Sequence, residues 1–277
     1  MVQGSPVNET LQRVLMVPPD HFVVEYKINP FMGGVVDKAK ASKQWNELKT
    51  TIESEGVKVE VLQQKANLPD MVFVCNTGLV YHNEEGDGKV YLSRFRHKQR
   101  TGEQDEIFPW FKKQNFEIYG DSYEDYFEGG GDAFFSTYST LWAGYGPRSE
   151  KKVYEKIKTM GDFEVVFCEL IHPNFYHLDT CLCLVDSTTM LYYPPALSAK
   201  TRETILEKMP NSIAINDEEA NAFVCNSITV RNTVISPLGM SNDTKRKLND
   251  RGFRVHEIDM SEFKKSGGAC QCLVLKL

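Results

Sequence analysis

A strand–strand–helix–strand order recurs along the chain at intervals of about 45–56 residues, a spacing that signals arrays and propellers. The first unit is incomplete. An apolar stretch at 21–28 (HFVVEYKI) precedes a helix over 37–55, with Trp45, Leu48 and Ile52 on one face and Gly56 as C-cap, and then a strand at 57–62. The second unit opens at Asp70 with MVFVCNTGLVYHN, turns at Asp87-Gly88 and returns as KVYLSRF; a helix at 107–113 and a strand at 116–119 follow. In the third, FEGGGDAFF pairs with 140–145, Ser149 N-caps a helix carrying Val153, Ile157 and Met160, and FEVVFCEL is a strand. The fourth runs HLDTCLCLV, MLYYP, a helix at 198–209 and SIAIN. The fifth runs AFVCNSITV, TVISP across Arg231-Asn232, a helix at 241–252 and FRVHEI.

The chain ends in ACQCLVLKL, a strand with no helix after it. Paired into the incomplete first unit, that strand closes a ring, and closure removes exposed sheet edges. An α/β sandwich without a ring fits the same order, so a single α/β domain is the firmer inference. Residues 1–20 read as a flexible lead-in and 21–277 as the folded domain.

Composition excludes several classes of function. With 32 Lys+Arg against 38 Asp+Glu the formal charge is -6, which gives no general attraction to nucleic acid or to an anionic membrane. No apolar run reaches the ~18–20 residues that span a bilayer. The polar first residues carry no signal-peptide core, so the seven cysteines, an odd number, read as reduced thiols in a cytoplasmic protein.

Three motifs can carry chemistry. In YFEGGGDAFF (126–135) the glycines let backbone approach a ligand beside Glu128 and Asp132, and a tight turn with solvated acids is the plainer reading. In YHLDT (176–180), His177 and Asp179 are two apart and share a face on a strand, where a carboxylate can orient an imidazole for acid–base work; a structural hydrogen bond explains the pair equally well. SGGACQCL (266–273) offers Cys270 and Cys272 on one strand face as candidate nucleophiles, or as buried small apolar residues. The two CxC pairs lack structural-zinc spacing, and neither GxGxxG nor GxxxxGK[ST] occurs.

Together with INPFM (28–32), LPDMVFVCNTGLV (68–80), RFRHKQR (94–100), GYGPRSE (144–150) and NFYHLDTCLCLVD (174–186), these motifs resemble the guanidino-group modifying superfamily of the pentein, or amidinotransferase, fold. The stretches come in that family's order and cover nearly the whole chain. The resemblance implies an α/β fold, a five-bladed ββαβ pseudosymmetric propeller in a single domain. It also implies a thiol mechanism needing no metal or organic cofactor. Cys272 attacks the guanidinium carbon, and His177 protonates the departing amine and then activates water against a thiouronium intermediate. Glu128 and Asp179 accept from guanidinium nitrogens, Arg94 or Arg96 holds the substrate carboxylate, and Asn29, Asn76, Asp132 and Arg148 complete the substrate set. A cationic substrate is expected to lower the thiol pKa as it binds. Cys272 is preferred to Cys270 because the family's cysteine stands four residues after the second glycine.

Two departures refine this. Arginine deiminases have Asp where this chain has Asn76, and an amide that both donates and accepts suits a neutral ureido group; the dihydrolase branch has Asn there and at the position of Asn29. One extra glycine separates Glu128 from Asp132, which puts the direction of Asp132 in question. The expectation is a cysteine-dependent guanidino hydrolase, foremost an arginine dihydrolase. Dimethylarginine hydrolysis is the alternative, and a catalytically silent guanidino-binding protein is the rival from another class. The implied partner is a small guanidino molecule; self-association into a homo-oligomer stays open.

Overall fold

Among the described residues of the computed structural model, 11–82 and 86–277, fifteen strands pair into five separate three-stranded sheets. β1 (Arg13–Met16) and β2 (Lys58–Val61) belong to the first blade. β3 (Gly78–His82), β4 (Gly88–Leu92) and β5 (Glu117–Tyr119) form the second, and β6 (Ala133–Thr137), β7 (Thr140–Tyr145) and β8 (Glu164–Glu169) the third. β9 (Leu182–Leu184), β10 (Met190–Tyr192) and β11 (Ile213–Ala214) form the fourth, and β12 (Ile228–Val230), β13 (Thr233–Pro237) and β14 (Arg254–Ile258) the fifth. β15 (Leu275–Lys276) pairs antiparallel with β1, Val14 opposite Lys276, and so supplies the missing first strand of blade one.

Every blade has the same wiring. Its second strand lies in the middle, antiparallel to the first and parallel to the third. A parallel pair needs a crossover, and a helix supplies it each time: Lys38–Ser54, Glu103–Lys113, Val153–Ile157, Ala199–Lys208 and Asn242–Asn249. Asp37, Ser198 and Ser241 cap three of these through their side-chain oxygens. On the first helix Trp45, Leu48 and Ile52 all face inward; complete burial of Leu48 and Ile52 stabilises by roughly 1.5–3 kcal/mol each.

Several sequence expectations need correction. The apolar stretch at 21–28 is not a strand, because the middle slot of blade one is filled by Val14, Leu15 and Met16, all fully buried. Residues 11–20 are thus part of the folded body rather than a lead-in, while 1–10 lie outside the described residues. Asp87-Gly88 is not a two-residue hairpin turn, since Gly88 already pairs with His82 in β4; part of the connection, 83–85, lies outside the described residues. Ser149 does not cap the Val153–Ile157 helix; its hydroxyl serves the site instead.

One device repeats where the function gathers. A single 3-10 turn immediately precedes the first strand of four blades: Val74–Thr77, Gly129–Gly131, Leu178–Thr180 and Val224–Asn226. In three of them a hydroxyl locks the turn by donating to the carbonyl three residues back: Thr77 to Val74, Thr180 to His177 and Ser227 to Val224. Residues of the first strands, or adjoining them, from all five blades line a common channel of about 680 Å³, including Leu79, Ala133, Leu182, Ser227 and Leu275. That shared lining places the ring axis.

Candidate active site

The 3-10 turns set residues of different blades against one another at the axis. Cys75, Asp179 and Cys272 each stand three residues before the first strand of their blade. Their ligand atoms lie within 4.8 Å of one another. Asp179 Oδ2 is 3.1 Å from Cys272 Sγ and 3.9 Å from Cys75 Sγ. Asp179 Oδ1 has no hydrogen-bond partner among the described residues, although the side chain is 1% exposed. A buried unpaired acceptor is costly unless an incoming donor satisfies it.

His177 and Asp179 do not share a strand face. His177 is extended and Asp179 lies within the turn, so the two side chains diverge. His177 Nε2 meets Glu128 Oε2 at 2.7 Å, and Arg148 Nη1 reaches the same oxygen at 2.8 Å. The Arg96 amide donates to Glu128 Oε1. Burial alone would raise the Glu128 pKa, but Arg148 and His177 hold the carboxyl well below its usual range, so it is an anion. Gly131 makes this closeness possible, because a Cβ there would meet Asn76 Nδ2 at 2.3 Å and the His177 ring at 3.1 Å.

Cys272 opens onto a pocket of about 260 Å³ shared with Asn29, Asn76, Arg100, Arg148 and Tyr176. Burial works against ionising its thiol, yet its hydrogen bonding with Cys75, Asp179 and Asn226 and the nearby His177 bring it down to about 6. Burial pushes the carboxyl of Asp179 and the thiol of Cys75 up. Of the three groups, Cys272 is the one its surroundings favour as the anion. Cys270 lies fully buried in the apolar core, in a turn rather than on a strand, and burial pushes its thiol up.

The remaining sequence candidates divide. Asn29 and Asn76 line the pocket, each with its oxygen engaged: Asn29 Oδ1 accepts from the Phe31 amide, and Asn76 Oδ1 from Arg100 Nη1 at 2.8 Å. Arg148 bridges the Ile28 carbonyl and Glu128, over the Tyr176 ring. Arg94 and Arg96 both stack on Tyr126 and line an outer cavity; Arg94 also donates to the Glu124 carbonyl. Asp132 is not in the pocket. Its Oδ2 accepts from Ser149 Oγ at 2.6 Å and its Oδ1 from the Leu178 amide, so it braces the Glu128 and His177 segments from behind.

Arg100, Cys75, Ser149 and Asn226 escaped the sequence reading. For Asn226 a signal existed: FVCN occurs at 73–76 and again at 223–226, each followed by a hydroxyl residue and an apolar run. The internal repeat puts Asn226 at the position of Asn76 in another blade, and its Nδ2 lies 3.1 Å from Cys272 Sγ.

A five-bladed ring carrying a cysteine whose thiol pKa is lowered, a His–Glu pair and an aspartate with one unpartnered oxygen at its axis defines a pentein of the guanidino-modifying class. The chain belongs to the eukaryotic N,N-dimethylarginine dimethylhydrolase family, whose model matches residues 20–277. An uncharacterised protein of Caenorhabditis elegans is 64% identical over 277 residues, covering 100% of this chain and 98% of its own. The bifunctional arginine dihydrolase/ornithine cyclodeaminase ArgZ of Synechocystis is 41% identical over 271 residues, or 96% of this chain; the chain spans 37% of ArgZ's length. A crystal structure of the N-terminal domain of ArgZ bound to substrate superposes with a TM-score of 0.88 at 40% identity, covering 95% of this chain and 97% of that one.

Proposed function

We propose that the protein is a cysteine-dependent hydrolase of guanidino compounds and that arginine is its substrate. The observation that carries the reaction class is the unpaired, buried Asp179 Oδ1 beside the Cys272 sulfur. A guanidinium N–H donates to that oxygen and brings its carbon to the sulfur. The thiolate attacks the carbon, the C–N bond breaks, and His177, oriented by Glu128, gives its proton to the leaving ammonia. Water, deprotonated by His177, then attacks the thiouronium carbon, and the C–S bond breaks to leave citrulline and the thiolate. Arg94 or Arg96, each lining the outer cavity, is the candidate for the substrate carboxylate.

Asn76 supports a second pass. Arg100 donates to its oxygen and its Nδ2 already reaches the Glu128 carbonyl at 3.5 Å, so a second N–H is what the amide can offer the pocket. A donor there holds a ureido oxygen and does not hold a guanidinium. The thiolate attacks the carbon of citrulline kept in this way, the C–NH2 bond breaks with His177 protonating the leaving ammonia, and water then breaks the C–S bond to give a carbamate that splits into ornithine and carbon dioxide. Arginine and two waters thus become ornithine, carbon dioxide and two ammonia. ArgZ, an arginine dihydrolase, is one relative in keeping with this reading.

The second reading, dimethylarginine to citrulline and dimethylamine, has the family model in its favour. Incubating the purified protein separately with arginine, asymmetric dimethylarginine and citrulline, with product identification and an ammonia assay, separates the two. Ornithine from arginine and from citrulline is expected. Citrulline alone from arginine refutes the two-pass reaction, and dimethylamine release selects the second reading.

A further inference from the structure

We propose that Asn226 is a catalytic residue: its side-chain amide donates to the sulfur of Cys272, holding the nucleophile as an anion aimed into the pocket. The inference rests on Cys272 being the nucleophile of the reading above, but not on which substrate it attacks.

The direction of this amide is fixed by its surroundings. Asn226 is fully buried. Its Oδ1 accepts from the main-chain amides of Ala269, at 2.9 Å, and Cys272, at 3.2 Å. Its Nδ2 donates to the Asp179 carbonyl and to Cys272 Sγ, both at 3.1 Å. Flipping the amide would set its NH2 against two N–H donors and its oxygen against a carbonyl and an anionic sulfur, so four contacts enforce one orientation. The Asn226 carbonyl also accepts from the Gln271 amide, and its own amide donates to Phe223. One residue therefore clasps the turn that carries the nucleophile and places a donor on its sulfur.

A neutral donor is what the reaction cycle requires at this point. Cys75, Asp179, Tyr176 and His177 press on the sulfur, Cys270 lies behind it, and Asp70, Arg100 and Arg148 share its pocket. Asp179 is set to turn its hydrogen bonding to the cationic substrate, and His177 gains and loses a proton in each half of the reaction. Asn226 does not titrate, so its hydrogen bond persists when those two change. It keeps the sulfur an able leaving group when water attacks, as well as an able nucleophile at the start.

The test uses the full chain without substrate, so it stands apart from the choice between arginine and dimethylarginine. The rate of Cys272 alkylation by iodoacetamide is followed by peptide mass from pH 4.5 to 9.5, in wild type, Asn226→Ala and Asn226→Asp, with thermal unfolding in parallel. Losing a hydrogen bond to a charged group raises the apparent pKa of the thiol by about one to two. Alkylation at neutral pH then slows about two- to tenfold, following the thiolate fraction. Asn226→Asp keeps the acceptor for the two amides that hold the turn and loses the donor, so it carries the test if the alanine variant does not fold. A merely structural role lowers the melting temperature and leaves the pH midpoint in place. Profiles that coincide with wild type in a folded variant overturn the proposal.

Discussion

Two cavities of the ring meet at the cluster of Cys75, Asp179 and Cys272, and they differ in kind. The axial channel, at about 680 Å³, is the larger, and leucine, valine, alanine and phenylalanine dominate its lining. The catalytic pocket, at about 260 Å³, presents two asparagines, two arginines, an aspartate, a tyrosine and a cysteine. Volume therefore does not locate the chemistry here. The reactive sulfur faces the smaller space, because only there do fixed donors and cationic side chains converge. The channel follows from closure: five short inner strands whose side chains are too small to fill the axis. Cys75 and Asp179 line the channel yet touch the nucleophile, so the wall between the cavities is part of the site.

The largest expected contrast lies across that wall. Cys272→Ser should reduce turnover of arginine at least ~10³-fold, as loss of a nucleophile does. Substituting Ser227, which lines the channel, by Ala should leave turnover within about twofold, since its hydroxyl only locks a turn. Turnover by Cys272→Ser at the wild-type rate would falsify the nucleophile assignment. Glu128→Gln comes next. It keeps the shape but removes the charge that orients and pairs with His177, and a fall of about 10²-fold in kcat is expected. A rise in KM alone, with kcat preserved, would instead make Glu128 a binding residue.

Asn76→Asp sharpens the pocket side of the comparison. The new carboxylate pairs with Arg100, so the pocket face changes from donor to acceptor. Hydrolysis of citrulline should fall about 10- to 100-fold, the worth of one hydrogen bond to a developing charge, and citrulline should accumulate from arginine. Chromatographic measurement of the citrulline-to-ornithine ratio decides this. An unchanged ratio would show that Asn76 does not set the number of passes.

The ring was legible in the sequence because each blade repeats its own turn and cap signals, down to the orphan strand that pairs with β1. In blade one, HFVVEYKI at 21–28 has strand character, but the slot belongs to Val14–Leu15–Met16, and pairing depends on tertiary position. The site was legible as a set of residue types and illegible in its directions. Period-two logic put His177 beside Asp179 and Cys270 beside Cys272, yet both pairs fall in turns where that period does not hold. Asp132 carries a motif acid into a bracing role through Ser149, a contact made across seventeen residues. Asn226 lies in an unremarked repeat, and its partners are forty-three to forty-seven residues away, beyond any local pattern.

The smallest effect belongs to the channel. Lys276 lines it, half-buried among Val80, Phe135 and Leu275, and burial lowers its ammonium pKa to about 8 despite the thiols of Cys183 and Cys75 nearby. A lysine in an unfolded chain keeps its proton up to about 10.4. Between those two values the unfolded chain binds more protons than the folded one, so stability rises with pH through that window and carries the full penalty below it. Lys276→Met removes the group. The variant should melt higher than wild type at pH 7, show a flatter dependence of melting temperature between pH 8 and 10, and turn over substrate at the wild-type rate. Parallel melting curves for the two proteins across that window would mean that Lys276 keeps its proton in the folded ring, and the channel would then be more polar than its lining implies.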